Sequence, residues 1–178
     1  DLNDGLYNFT VTRNDSANYS NIADQEDFVV DGTAPRLVLT YPTNTSYNAV
    51  QTTLNYTASD TVGLGTCWYS LNGGTTNTTI TCGTNATGLS SSENSNTWRV
   101  YANDTVGNLN ISSVTFIQDT ITPLISYNPS TESATAYLSR TWALVNVSSS
   151  DTNLNVTMLS WNNVNETFET NSGNNYWE

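Results

Sequence analysis

Apolar and polar residues alternate along several short stretches of the chain. The alternation is clearest at 6–11, 98–102 and 142–147, where β-branched and aromatic residues are frequent. Successive side chains of a β-strand point to opposite faces, so this pattern predicts strands that each bury one face. No stretch sustains the period of about 3.6 residues that marks an amphipathic helix. The pattern therefore predicts an all-β fold.

Turn-forming residues separate these stretches. Asn and Asp side chains can cap chain reversals at 14–18 (NDSAN) and 103–108 (NDTVGN). Asn72-Gly73-Gly74 lies between two strand-like runs and predicts a hairpin. Prolines, which stop strands, flank the first predicted strand of two successive segments: Pro35 and Pro42, then Pro123 and Pro129.

The chain repeats itself with a period of about 89 residues. Asp15 and Asp104 are 89 residues apart, and Asp31 and Asp119 are 88 residues apart. Short strands in a unit of this length are typical of a β-sandwich of about seven strands. Three pairs of segments resemble each other: 6–18 and 97–108, 29–42 and 117–129, and 54–74 and 143–163.

The repeat predicts one complete domain flanked by two partial ones. The complete domain is predicted at 33–119, the last strands of a preceding repeat at 1–32, and the first strands of a following repeat at 120–178. Each partial domain is expected to expose an apolar face and unpaired strand edges, because a sandwich buries one face of each sheet.

Two interpretations explain how the partial domains are completed. In the first, the 178 residues are a segment of a longer polypeptide whose adjacent repeats supply the missing strands. In the second, the ends are native, and the C-terminal half of one subunit is completed by the N-terminal half of the next. Such a head-to-tail contact propagates into a filament. A third interpretation is that the boundaries of the sequence are arbitrary. The length of 178 residues, which is twice the period, favours the first two interpretations over this one.

The charged residues exclude several classes of function. The chain has 16 acidic residues, four arginines and no lysine or histidine, for a formal net charge of −12. Nucleic-acid binding needs clustered cations, and an anionic membrane surface repels such a chain. No apolar run approaches the ~20 residues that span a bilayer. Catalysis usually recruits His, Lys or a free Cys, so we predict that the chain is not an enzyme.

Twelve Asn-X-Ser/Thr sequons occur in the chain. A composition rich in Asn, Thr and Ser creates some by chance, but their density favours a secreted protein with covalent N-glycans. The candidate acceptors are Asn8, Asn14, Asn18, Asn44, Asn55, Asn77, Asn85, Asn103, Asn110, Asn146, Asn155 and Asn165.

Cys67 and Cys82 are the only cysteines. A secreted chain with one pair usually oxidises it, and two cysteines without histidine cannot complete a tetrahedral zinc site. Because the cysteines lie on the two sides of the Asn72-Gly73 turn, the predicted disulfide staples one hairpin within a sheet. The other repeat has Thr157 and Met158 near the position of Cys67, so the disulfide is predicted to be optional to the fold.

Calcium is the one metal that the composition suggests. The ion takes about six to eight oxygen ligands from carboxylates, amides and carbonyls. No Asp-X-Asp-X-Asp-Gly loop is present, and the alternative is that the loop aspartates only cap turns. We therefore assign no metal site from the sequence and keep five candidate ligands: Asp31, Asp60, Asp104, Asp119 and Asp151.

The tryptophans divide into predicted core and surface residues. Trp98 and Trp142 lie inside strand patterns and are predicted to be buried. Trp68 and Tyr69 are neighbours, so one of them must face outward. Trp177 lies near the predicted cut, where completing strands could bury it.

Several motifs resemble a known family. The openings DGTAP and DTITP, the hairpin CWYSLNGG, the turn YANDTVGN and the strand SSVTFIQDT are similar to tandem immunoglobulin-like repeats of large prokaryotic, especially archaeal, surface proteins. The resemblance covers essentially the whole chain and implies tandem immunoglobulin-like β-sandwiches without catalytic residues.

The function predicted from the resemblance and the repeats is structural. The chain is expected to be part of a glycosylated extracellular filament or stalk at the cell surface. Its expected partners are copies of itself or adjacent repeats, arranged head to tail. The alternative is an adhesin that binds surface glycans or proteins, or a cell-wall or S-layer module.

Overall fold

The computed structural model describes residues 2–17, 20–22, 26–133 and 135–167. Every regular element in these ranges is a β-strand, as the alternation predicts. The strands are β1 Gly5–Phe9, β2 Thr12–Asn14, β3 Ser20–Ile22, β4 Glu26–Val30, β5 Arg36–Tyr41, β6 Ser46–Tyr47, β7 Thr53–Ser59, β8 Leu64–Ser70, β9 Thr78–Ile80, β10 Ala86–Thr87, β11 Asn94–Asp104, β12 Leu109–Gln118, β13 Leu124–Tyr127, β14 Val147–Ser150, β15 Met158–Trp161 and β16 Val164–Thr167.

The chain divides into two compact units, Asp1–Thr120 and Ile121–Glu178. The first unit contains both the segment 1–32 and the predicted complete repeat 33–119. This division therefore does not decide whether 1–32 belong to a preceding repeat, and that assignment stays a prediction.

Strands β5 to β12 form a β-sandwich, which confirms the predicted fold class. The order of one sheet is β10-β7-β5, and that of the other is β6-β12-β11-β8-β9. The pairs are antiparallel except for β6 and β12, which run parallel. Leu54 and Tyr56 from the first sheet pack with Trp98, Val100 and Phe116 from the second. Burial of these side chains from both sheets is what holds the layers together.

The predicted punctuation of the sandwich is confirmed. Pro35 directly precedes β5 and Pro42 directly follows it. Strand β8 pairs with β9 across the loop that contains Asn72-Gly73. Cys67 in β8 and Cys82 just after β9 form the predicted disulfide, with a Cα–Cα distance of 5.1 Å. The bridge therefore staples one hairpin within one sheet.

The N-terminal strands reproduce the pairing of β11 with β12. Strand β1 pairs with β4 and β2 pairs with β3, so these four strands form an interrupted hairpin. The corresponding residues of the two hairpins are 88 or 89 residues apart in the chain, which is the period seen in the sequence. The equivalent pairs are Tyr7–Phe28 and Asn96–Phe116, and Thr12–Ile22 and Tyr101–Ile111.

The second unit reproduces the beginning of the sandwich. Strand β13 pairs with β14 in the way that β5 pairs with β7. Strands β15 and β16 form a tight hairpin whose turn residues, Asn162 and Asn163, have φ angles of 49° and 66°. Asn tolerates this left-handed conformation better than most residues, which explains why Asn-Asn occupies the turn.

The prediction that Trp142 is a core residue is wrong. Its side chain is 44% exposed, and the strand expected at 142–147 begins only at Val147. Trp142 lies in the connection between β13 and β14, outside the paired strands. The guanidinium of Arg140 instead packs over the ring, 4.0 Å from its centroid.

The other tryptophan predictions agree with the structure where it describes them. Trp98 is fully buried. Trp68 faces away from the core and stacks on Tyr101 with ring centroids 5.4 Å apart, whereas Tyr69 packs against the core. Trp177 lies outside the described residues.

Candidate assembly faces and carboxylate cluster

Three of the five candidate calcium ligands come together at one end of the sandwich. Carboxylate oxygens of Asp31, Asp60 and Asp104 lie within 4.8 Å of one another. Asp31 follows β4, Asp60 follows β7, and Asp104 is the last residue of β11. Three strand ends that are distant in sequence therefore meet at this carboxylate cluster.

Each member of the cluster also caps a turn, as the alternative interpretation expected. The Oδ1 atom of Asp104 accepts hydrogen bonds from the backbone N–H groups of 106–108 at 2.6–3.0 Å. The Oδ1 atom of Asp60 accepts two more from 62–63, both at 2.9 Å. These turns anchor the carboxylates to the backbone, so the cluster is held in place by the fold itself.

Asp31 differs from the other two because one of its oxygens has no partner. Oδ1 accepts a hydrogen bond from the N–H of Thr33 at 3.2 Å. Oδ2 is buried and accepts no hydrogen bond from any described residue. Burial raises the pKa of Asp31, and the nearby carboxylates of Asp104 and Asp60 raise it further, although the hydrogen bond from Thr33 opposes them.

The pKa of Asp104 moves in the opposite direction. Burial by itself would raise it, but the hydrogen bonds from the side chain and backbone of Asn108 and from Gly107 outweigh this effect, and the pKa is lowered. Asp104 therefore stays ionised beside Asp31, and the cluster retains negative charge.

Sequence reasoning missed two residues that build the cluster. The Nδ2 group of Asn108 donates to Oδ2 of Asp104 at 2.7 Å and to the carbonyl oxygen of Asp31 at 3.0 Å. A Cβ atom on Gly65 would lie 2.4 Å from the carbonyl oxygen of Asp104, so β8 can approach the end of β11 only with glycine here. Neither residue is distinctive in the sequence, because Asn is abundant throughout the chain and Gly65 is one of ten glycines.

The remaining two candidates do not join the cluster. Among the described residues, the carboxylates that converge include neither Asp119 nor Asp151. Asp151 caps its own turn by accepting a hydrogen bond from the N–H of Asn153 at 2.7 Å.

The N-terminal strands expose an apolar face. We define the N-terminal face as Phe9, Val11 and Phe28, which are 51%, 57% and 40% exposed. The residues that occupy the equivalent positions one period later are all in the core of the sandwich, and none is more than 1% exposed: Trp98, Val100 and Phe116.

The second unit exposes a corresponding face. We define the C-terminal face as Ile125, Tyr127 and Met158, which are 59%, 74% and 56% exposed. The second unit can be aligned with the sandwich by matching Asp151 to Asp60 and keeping the strand register. The equivalents of the three residues then lie in the core of the sandwich or pack against it: Leu37, Leu39 and Cys67. Both faces thus carry core-type side chains at the surface.

The sequon asparagines differ in accessibility. The described residues include eleven of the twelve acceptors, and Asn18 lies outside them. Asn55, Asn103 and Asn110 are half-buried, and Asn146 is buried. The Nδ2 groups of Asn110 and Asn146 donate hydrogen bonds at 2.8 Å. The exposed acceptors are Asn8, Asn14, Asn44, Asn77, Asn85, Asn155 and Asn165.

Comparison with known proteins shows a distant structural similarity. No family model and no curated protein match the chain. Among solved structures, the fibronectin(III)-like modules of Clostridium thermocellum CbhA are 18% identical, with a TM-score of 0.40, and the match covers 66% of this chain and 65% of that chain. In the part of the chain that the structure describes, no helix has the length and apolar character that crossing a bilayer requires.

Proposed function

We propose that the chain is a non-catalytic structural element of an extracellular filament or stalk. In this assembly, immunoglobulin-like sandwiches follow one another head to tail. The N-terminal face of one copy packs on the C-terminal face of the next, and the two partial repeats form one complete sandwich. An adjacent repeat of a longer polypeptide would supply the same strands.

One observation carries this proposal. Residues at core positions of the complete sandwich have exposed equivalents in both partial repeats, while the strand register is preserved. A sheet that keeps its pairing but lacks the facing sheet has an apolar surface that water does not stabilise. The N-terminal face carries the last strands of a repeat and the C-terminal face carries the first strands. Each face therefore supplies the strands that the other lacks.

The repeat also defines how the backbones would pair. In the sandwich, β8 pairs with β11, with Cys67 opposite Ala102 and Trp68 opposite Tyr101. The strand equivalent to β8 is β15 in the second unit, and the equivalent of β11 is the segment from β1 to β2. We therefore expect Met158 of one copy opposite Arg13 of the next. This pairing would satisfy the open edges of these strands.

The energy of the contact is moderate. Burying one large apolar side chain contributes roughly 1.5–3 kcal/mol, and the six residues of the two faces are between 40% and 74% exposed. Completing their burial contributes on the order of 5–10 kcal/mol. Association of two proteins costs about 4–15 kcal/mol in lost freedom. Assembly of separate chains is therefore expected to depend strongly on concentration.

Glycosylation and secretion belong to the same proposal. Disulfides persist mainly in oxidising, extracytoplasmic compartments, and the structure contains the Cys67–Cys82 bridge. Glycans on the exposed sequon asparagines would give the surface a hydrophilic cover that limits pairing at the remaining strand edges.

The test compares two matched valine variants by sedimentation velocity and negative-stain microscopy. Val11 in the N-terminal face is 57% exposed, and Val106 in a turn of the sandwich is 50% exposed. The unmodified chain and Val106→Asp are expected to form elongated oligomers as the concentration rises. Val11→Asp should remain a monomer, because a carboxylate in the completed core is not solvated. A monomeric unmodified chain at every concentration, or assembly by Val11→Asp, would count against the proposal.

A further inference from the structure

We propose that Asp31, Asp60 and Asp104 bind one calcium ion. The distance between their oxygens fits this assignment. Calcium–oxygen distances are about 2.3–2.6 Å, so two ligands on opposite sides of one ion are separated by up to about 5 Å. The oxygens of the carboxylate cluster lie within 4.8 Å of one another, so one calcium ion can reach all three.

A second observation points independently to a cation. The buried Oδ2 atom of Asp31 has no hydrogen-bond donor among the described residues. A buried carboxylate oxygen without a donor or a cation is strongly unfavourable. Among the described residues, no arginine forms an ion pair with the cluster. The ion pair found there joins Arg140 to Glu132. A divalent ion would supply both the missing partner and the missing positive charge.

The ligand chemistry selects calcium over other common metals. All three side chains offer hard oxygen ligands, and no His or free Cys is available for zinc or copper. Magnesium requires near-ideal octahedral geometry and loses its water ligands reluctantly, so it is usually held by one or two carboxylates rather than three. Calcium accepts several carboxylates in less regular geometry and fills its remaining positions with water or backbone carbonyl oxygens.

The ion would connect the end of the N-terminal hairpin to the sandwich. Asp31 is the residue after β4, whereas Asp60 follows β7 and Asp104 ends β11, both of which are strands of the sandwich. Calcium would fix the connection between them and stiffen the chain at this point. This inference concerns the first unit alone and does not depend on the proposed assembly.

Calorimetric titration tests the site directly. The chain is stripped with a chelator and titrated with CaCl₂ at a concentration where it is monomeric. The unmodified chain is expected to bind one ion saturably, and Asp31→Asn should bind at least tenfold more weakly. Asp151→Asn is the matched control, because Asp151 caps a similar turn outside the cluster. It should bind calcium like the unmodified chain.

Thermal unfolding of the same proteins gives a second measurement. Calcium should raise the Tm of the unmodified chain and of Asp151→Asn, but not that of Asp31→Asn. In chelator, Asp31→Asn should unfold no earlier than the unmodified chain, because the substitution relieves repulsion. Asp60→Asn should show the same loss of calcium response, which keeps the test valid if Asp31→Asn fails to fold.

Three results would overturn the inference. The first is the absence of saturable calcium binding by the unmodified chain. The second is an equal loss of binding in Asp151→Asn, which would indicate a response to net charge alone. The third is an equal response to MgCl₂, which would contradict the selectivity expected from a set of three carboxylate ligands.

Discussion

Reduction of the Cys67–Cys82 disulfide is expected to destabilise the sandwich without unfolding it. The cysteines are separated by 15 residues, and closing a loop of this length contributes about 3 kcal/mol on the chain-entropy model. Domains of this size are stable by about 5–15 kcal/mol. The ladder between β8 and β11 does not involve the disulfide, so we expect most of the native packing to persist after reduction.

The assay is urea unfolding of the oxidised and the reduced chain. Near-ultraviolet circular dichroism reports the buried Trp98 and the stacked pair of Trp68 and Tyr101. With a urea dependence of about 1–3 kcal/mol per molar, a loss of 3 kcal/mol moves the midpoint down by roughly 1–3 M. The double variant Cys67→Ala, Cys82→Ala should lose at least as much, because Cys67 is fully buried in the core.

Two outcomes would refute this reasoning. An unchanged midpoint after verified reduction would mean that the loop is already constrained in the unfolded chain. Complete loss of the dichroism signal on reduction without urea would mean that the disulfide is essential to the fold. The second outcome would contradict the prediction, made from the repeat without cysteines, that the bridge is optional.

Three further predictions concern the core, the pH dependence and the glycans. Trp98→Ala should lower the free energy of unfolding, measured in urea, by about 3–5 kcal/mol. Trp98→Phe should retain most of the stability. The equivalent residue of the N-terminal repeat is Phe9, and the buried Nε1 of Trp98 has no partner among the described residues. Hydrogen bonds from the hydroxyl and N–H of Thr120 lower the pKa of Glu93. The ionised carboxylate therefore stabilises the fold above the unfolded pKa, and this stabilisation is lost as the pH falls through the lower folded pKa. The Tm of the unmodified chain should fall more on acidification than that of Glu93→Gln, and an equal dependence of Tm on pH would contradict this. Glycopeptide mass spectrometry of the native protein should find the exposed sequons modified and Asn146 unmodified, since its amide is buried and hydrogen-bonded; a modified Asn146 would refute the accessibility argument.

The sequence predicted the features that depend on local pattern. Alternation identified the strands around Phe9 and Trp98, and proline positions bounded β5. The single cysteine pair identified the staple. These features follow from the period of a strand and from turn chemistry, which act over a few residues.

Features that depend on tertiary surroundings could not be predicted in the same way. Trp142 follows a strand-like pattern, but it is exposed and lies in the connection between β13 and β14 rather than in a strand. The five candidate aspartates all have the composition of calcium ligands. Only the packing of three strand ends distinguishes Asp31, Asp60 and Asp104 from the rest.

The most direct test of head-to-tail completion uses two variants that are each blocked at one end. Val11→Asp disables the N-terminal face, and Met158→Asp disables the C-terminal face. Each variant alone is expected to sediment as a monomer, because its remaining face meets only a disabled partner. An equimolar mixture should form a dimer and grow no further, since one intact pair of faces is available. A mixture that stays monomeric, or self-assembly of either variant alone, would contradict the account.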